Sequence, residues 1–275
     1  MNPGQFQGKT VIVTGASSGL GAELALAFAA AGAKLVLFAR SAEALEEVAQ
    51  RCRTAHGADP LVLVGDVTLP ADSARLVEET VSRFGGIDVL IACAGIGMWA
   101  EFSKLTDPGV LQRVMEVNYG GVANPTFYAL PHLRASKGML VAISSVQGII
   151  GVPYHTGYAA SKHAVQGFCN SLRMELRETG VGVLTVIAHW ISGTRLREQA
   201  LGHDGAPKGK SSHSHGSGAI PVAEMTRAIV EAVGKRKRTI FVPGKLRYLS
   251  WLAAIAPGMA DRIIIGKVEK EAGRK

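Results

Sequence analysis

The start of the chain most constrains its fold. An apolar run at 10–13 passes without a linker into Thr14-Gly15-Ala16-Ser17-Ser18-Gly19-Leu20-Gly21, and an Ala-rich stretch follows at 22–31. A short apolar run, a Gly-rich turn and a helical segment, in that order, predict a strand, a tight turn and a helix. Glycines in such a turn let the backbone approach a ligand closely, and the N–H groups that open the helix face negative charge of the kind a pyrophosphate supplies. The spacing is GxxxGxG, and a Gly-rich turn alone is a weak sign. Its place between strand and helix gives it weight.

The same alternation continues along the chain. Apolar runs at 34–39, 61–65, 89–92, 139–144, 183–188 and 239–242 are separated by stretches of helical length and pattern at 43–55, 71–84, 111–133, 158–178 and 222–235. The runs are continuously apolar, which is the mark of strands buried on both faces, as in a parallel sheet between helix layers. The expected class is α/β: a Rossmann-type doubly wound parallel sheet. One domain is expected over 1–243, with a C-terminal helical tail at 244–275. Two segments stand outside the repetition. Residues 202–218, within a substrate loop expected at about 195–220, are rich in Gly, Ser, Lys and His and predict a mobile loop. The tail carries Leu246, Tyr248, Leu249, Trp251, Leu252 and Ile255, and Pro257 should split it into two short helices.

Charge narrows the function classes. The net charge is +8, and residues 235–275 hold eleven Lys/Arg against three Asp/Glu, so the tail accounts for all of it. A basic tail without a reading element does not suggest a nucleic-acid binder. The apolar tail is expected to pack over the substrate entrance or against another subunit, with peripheral contact to an anionic membrane as the alternative. The start of the chain shows no signal-peptide pattern, and no apolar run reaches the roughly 18 residues of a membrane span. Cys52, Cys93 and Cys169 form no CxxC pair, so a reducing, cytoplasmic compartment is expected. His203, His213 and His215 lack zinc-ligand spacing, and no metal is expected.

Other residues carry chemistry. The second run ends Ala39-Arg40-Ser41, where an acid would bind a ribose 2′-hydroxyl; a guanidinium beside a hydroxyl suits a 2′-phosphate, and hence NADP(H). Asp66-Val67, after the third run, is placed to meet an adenine amino group. Tyr158 and Lys162 stand four residues apart on one helical face, where a cation is expected to favour the phenolate and lower the phenol's pKa. Ser144-Ser145 ends the fifth run at the sheet edge where ligands bind. Asn118 falls inside a helical stretch, where an Asn either holds a water or bonds the backbone.

Taken together, TGxxxGxG, Asn118, Ser145 and the YxxxK of Tyr158–Lys162 resemble the short-chain dehydrogenase/reductase family, over nearly the whole chain to about Val242. The resemblance implies a catalytic tetrad of Asn118, Ser145, Tyr158 and Lys162. Tyr158 would exchange the proton, Ser145 would orient the carbonyl, and Lys162 would also bind the nicotinamide ribose. It implies cofactor contacts from Gly15, Ser17, Ser18, Gly19, Leu20, Gly21, Arg40, Ser41, Asp66, Val67, Ala94, Gly95, Tyr158, Lys162 and Thr194, and a homodimer or homotetramer.

Two departures stand out. Ala92-Cys93-Ala94-Gly95 replaces the family's Asn-Asn-Ala-Gly, implying some loss of rigidity. Trp190, in His189-Trp190-Ile191-Ser192-Gly193-Thr194, puts a large ring where relatives have Gly; it either shapes the pocket or packs below the loop. The segments expected to border the nicotinamide contain Met98, Trp99, Val146, Ile149, Ile150, Val152, Tyr154 and Trp190, with Gln147 and His155 as polar contacts. That lining suggests hydride transfer to or from an apolar small molecule, such as a steroid-, lipid- or aromatic-like ketone. Two alternatives stay open: a 3-oxoacyl thioester reductase, with Arg195 and Arg197 at the entrance, and a catalytically silent NADP(H)-sensing protein.

Overall fold

The computed structural model describes residues 4–209 and 219–271. Its centre is a parallel seven-stranded sheet made of β1 (Thr10–Thr14), β2 (Lys34–Ala39), β3 (Leu61–Val64), β4 (Val89–Ala92), β5 (Met139–Ser145), β6 (Gly182–Ala188) and β9 (Thr239–Val242). The spatial order is β3-β2-β1-β4-β5-β6-β9. A two-stranded pair, β7 (Ile191–Ser192) and β8 (Ile220–Pro221), lies apart from it.

Strand alternation supplies both faces of the core. Val11, Val13, Leu35 and Leu37 join one buried cluster, while Ile12, Val36 and Phe38 join another. On the first face lie α1 (Gly19–Ala30), α2 (Ala42–His56) and α7 (Val222–Gly234); on the second lie α3 (Pro70–Phe84), α5 (Gly121–Ser136) and α6 (Thr156–Glu175). The buried side of α1 is built from small residues, among them Ala22, Ala25 and Ala29, so the helix sits close to the sheet and to α7. Chain order reverses between β1 and β4, and the crevice at the carboxyl ends of those strands is where ligands bind in open α/β sheets.

The stretch 111–133, expected as one helix, is three pieces: α4 (Gly109–Met115), a π-helical turn (Glu116–Gly120) and α5. The π turn inserts an extra residue into the helical ladder and aims Asn118 inward, wholly buried.

The tail forms α8 (Leu246–Ile255) and α9 (Pro257–Glu271). Leu246 and Ile264 pack on Val146, Ile150 and Ile187, beside the carboxyl end of β5. The opposite side leaves Tyr248, Trp251, Ile255, Met259 and Ile263 exposed. No helix among the described residues is long and apolar enough to cross a membrane.

Candidate active site

The Gly-rich turn is shaped by what lies against it. Gly15 has φ +68°, and a Cβ there would come within 2.8 Å of the Ala94 backbone. A Cβ on Gly21 would run into the carbonyl oxygen of Gly15. Only glycine tolerates both the conformation and the crowding. Thr14, fully buried, ties the turn to the loop after β4: its hydroxyl accepts from the N–H groups of Cys93 (3.1 Å) and Ala94 (3.3 Å). That loop therefore keeps its brace although Cys93 cannot supply an Asn side chain.

These elements open onto a cavity of about 450 Å³. Gly15, Ser17, Ser18, Gly19, Leu20 and Gly21 line it, as do Arg40, Ser41, Asp66, Val67, Ala94, Gly95 and Thr194. The glycine cradle, the first turn of α1 and the cations at Arg40 and Lys162 fit an anionic dinucleotide. Arg40 is exposed and joins no ion pair among the described residues. The Ser41 hydroxyl caps α2 by accepting from Ala44 N–H at 3.3 Å. Asp66 spends one carboxylate oxygen on the Thr68 N–H, at 2.9 Å. The Thr194 hydroxyl donates to the Ile191 carbonyl (3.1 Å), while its side chain covers Gly19.

At the deep end of the same cavity stand Ser145, Tyr158 and Lys162. Ser145 closes β5, and its hydroxyl accepts from Gln147 N–H at 3.2 Å. Tyr158 and Lys162 come from the first turns of α6. The buried Lys162 ammonium donates to the Ile143 carbonyl at 2.9 Å and lies 5.6 Å from the centre of the Tyr158 ring. Burial pushes the Lys162 pKa down to about 8. Burial also pushes the Tyr158 phenol up to about 12, with the Ser145 hydroxyl pulling the other way. This corrects the expectation from sequence that the phenol would be lowered: desolvation outweighs the Ser145 hydrogen bond.

Asn118 lies beneath the cavity rather than in its wall. Its amide oxygen accepts from Ile96 N–H (2.8 Å), and its NH₂ donates to the Ile96 carbonyl (3.0 Å) and to the Ser161 hydroxyl (2.9 Å). Ser161 in turn donates to the Tyr158 carbonyl at 2.7 Å. The backbone bonds allowed for by the sequence reading are present.

The outer half of the cavity is aromatic. Trp99, His155 and Trp190 line it, together with Gln147. His155 meets Trp99 edge to face at 4.9 Å and Trp190 at 5.7 Å, so Trp190 shapes the pocket. The Nδ1 of His155 sits 2.8 Å from the Pro153 carbonyl, and burial pushes its pKa down to about 4. Gln147 is buried, and its Oε1 accepts no hydrogen bond among the described residues. Tyr154 is not in the lining; it stacks on Trp99 at 6.3 Å and 9°. Sequence reasoning missed Thr14, whose brace was hidden inside the motif, and Lys208, whose ammonium lies 4.7 Å from the Trp99 ring. His213 and His215 lie outside the described residues.

Residues 9–203 match the family model for short chain dehydrogenase. The chain belongs to the short-chain dehydrogenase/reductase family. It is 38% identical over 268 residues to "Dehydrogenase/reductase SDR family member 7B" of Bos taurus, covering 95% of this chain and 82% of that protein. It is 37% identical over 253 residues to "11-beta-hydroxysteroid dehydrogenase-like 4A" of Arabidopsis thaliana, covering 92% and 82%. Among solved structures, an alcohol dehydrogenase from Thermococcus sibiricus, complexed with 5-hydroxy-NADP, superposes with a TM-score of 0.72 at 24% identity, over 85% of this chain and 95% of that one. The fold is shared at that distance, and membership of the family makes this chain an oxidoreductase.

Proposed function

We propose that this short-chain dehydrogenase/reductase transfers hydride between NADP(H) and the carbonyl or secondary alcohol of a flat, largely apolar substrate. The observation that carries the reading is the convergence of Ser145, Tyr158 and Lys162 with the glycine cradle on one cavity. When bound, the cofactor supplies the hydride. Arg40 and Ser41, with no acid at the end of β2, support a 2′-phosphate and so NADP(H) over NAD(H). The 5-hydroxy-NADP in the Thermococcus sibiricus enzyme supports the same cofactor, and the name of the Arabidopsis thaliana relative supports the flat, apolar substrate.

In this reading the Ser145 hydroxyl orients the substrate oxygen and Tyr158 hands it a proton. The phenol is protonated at neutral pH, the state a donor needs in the reductive direction, and burial raises its pKa further. Lys162 holds the ribose hydroxyls. Asn118 is a positioning residue: through Ser161 it fixes the turn of α6 that carries Tyr158. The free cysteines support a reducing, cytoplasmic setting. The outward face of α8–α9 supports contact with a second copy of the chain, in a dimer or tetramer, ahead of a lipid surface.

The test is NADPH consumption against a panel of ketones, aldehydes and acyl thioesters, with Tyr158→Phe alongside. Turnover that drops by about 10²–10⁴ in the variant, with NADPH binding intact, is expected. Preference for thioesters would shift the substrate class. Tight NADPH binding without any turnover would favour the sensing role, and turnover that survives in Tyr158→Phe would remove the proton donor assigned here.

A further inference from the structure

The aromatic half of the cavity carries a feature that hydride transfer does not require. Two cations, Arg197 in the cavity lining and Lys208 just outside it, converge on one ring. The Arg197 guanidinium lies 4.9 Å from the centre of the Trp99 ring and 5.5 Å from that of Trp190, and the Lys208 ammonium lies 4.7 Å from that of Trp99. Neither joins any of the ion pairs among the described residues. The nearest acids along the chain do not serve them: Asp204 accepts from Ala206 N–H, and Glu198 is exposed. Residues 205–223 contain no Asp or Glu at all.

The convergence is built into the backbone. Leu201 N–H donates to the Gly97 carbonyl (3.0 Å) and Trp99 N–H to the Leu201 carbonyl (2.9 Å). Lys208 N–H then donates to the Ala200 carbonyl (2.9 Å), and Gly209 N–H to that of Glu198 (3.0 Å). These bonds lash 197–209 across the residue that carries the ring. A Trp face attracts one cation well, but two like charges against one ring repel each other unless an anion stands between them. The mutual cost is visible in Lys208, whose pKa is lowered by desolvation and by Arg197. The pair lies at the outer end of a run of rings, Trp99 to His155 to Tyr158, with centroid separations of 4.9 and 6.5 Å. A substrate whose carbonyl reaches Tyr158 would lay its body along these rings and present its far end to the two cations.

We propose that Arg197 and Lys208, set against Trp99, recognise an oxyanion, a carboxylate or sulfate, at the end of the substrate remote from the reacting carbonyl. The proposal rests on the carbonyl-reductase reading and sharpens its substrate class, from apolar to amphipathic with an anionic end. Arg197 supplies the planar fork that suits a two-oxygen contact, and Lys208 supplies a point charge.

The experiment uses the full chain and a matched series of aryl ketones with side chains of graded length, each ending in a carboxylate, a sulfate ester or a neutral methyl ester. The readout is kcat/KM for the anionic member over that for the ester of equal length. At one or more lengths the wild-type protein is expected to prefer the anion by about tenfold or more, and added salt should reduce that preference. Arg197→Gln and Lys208→Gln should each lower the ratio by about tenfold, chiefly through KM, and the double variant should abolish it. A carboxylate preferred over the sulfate, or the reverse, identifies which anion the site takes. A ratio near one in the wild-type protein at every length, or a ratio the variants do not move, overturns the proposal. If no member turns over although NADPH binds, the carbonyl reading itself has failed. Quenching of tryptophan fluorescence by the carboxylates then decides the anion site separately: equal titrations for wild type and the double variant overturn it, and weaker binding by the variant sustains it.

Discussion

The inner and outer halves of the cavity are made differently. The inner half, around Gly15, Gly21 and Ala94, is mostly backbone, packed so tightly that a single added carbon meets main-chain atoms. The outer half, around Trp99, His155, Trp190 and Arg197, is mostly side chain, carried by the loop after β4, the start of α6 and the segment after β6. Backbone reads what every dinucleotide shares. Side chains read what distinguishes one substrate from the next, and they can be exchanged without disturbing the sheet.

Four measurements would break or sharpen this contrast. Gly21→Val should have the largest effect, removing cofactor binding in an NADPH titration and costing about 1–3 kcal/mol in thermal unfolding through the clash with Gly15. Retained binding would mean that the turn is not held by packing.

The next concerns acid. The unfolded His155 titrates near 6.5, whereas burial holds the folded imidazole at about 4. Above pH 6.5 both states are neutral and the folded state has its full stability. As the pH falls from 6.5 towards 4 the unfolded chain takes up a proton that the folded one refuses, so stability is lost, by about 3 kcal/mol at the lower end. Unfolding followed across that range should show the slope, and His155→Gln should flatten it; a slope of equal size in the variant would place its origin elsewhere.

Arg40→Asp is expected to lower the preference for NADPH over NADH by about 10- to 100-fold, the value of one or two charge-assisted hydrogen bonds, while turnover with saturating NADH continues. Competition assays with both cofactors would read it. Smallest of the four, Trp99→Leu should raise KM for flat ketones by about 2- to 10-fold through lost ring contacts, leaving the NADPH Kd where it was. If Kd moved with KM, the two halves would not be separable.

The two halves also differed in how far sequence revealed them. All seven strands of the sheet were legible because fully buried parallel strands appear as unbroken apolar runs, and the glycine turn because its constraint is local. The helix at 111–133 was misread: its period is broken by a π turn at which Asn118 bonds Ile96, 22 residues away. Pro125 and Pro131, ordinarily breakers, sit inside α5 without ending it. The direction of the Tyr158 pKa was misread for a related reason. YxxxK spacing gives the distance between phenol and ammonium but says nothing of how deeply the fold buries them. Lys208 could not be found at all, since its position over Trp99 depends on backbone bonds to Ala200 and on a bridge between Leu201 and Pro207. The Thr14 brace belongs to a third kind, where the residue was visible in a motif and its partners were not.

The hydrogen-bonded path from Ile96 through Asn118 and Ser161 to the Tyr158 carbonyl uses none of the outer rings. It acts as a chassis: the turn of α6 that carries Tyr158 is tied to the loop after β4. Residues 195–208 can therefore be redesigned, by drift or by an engineer, to accept new molecules without loosening the turn that carries Tyr158. A library confined to that segment should change what the enzyme selects far more often than it destroys the enzyme's ability to turn anything over.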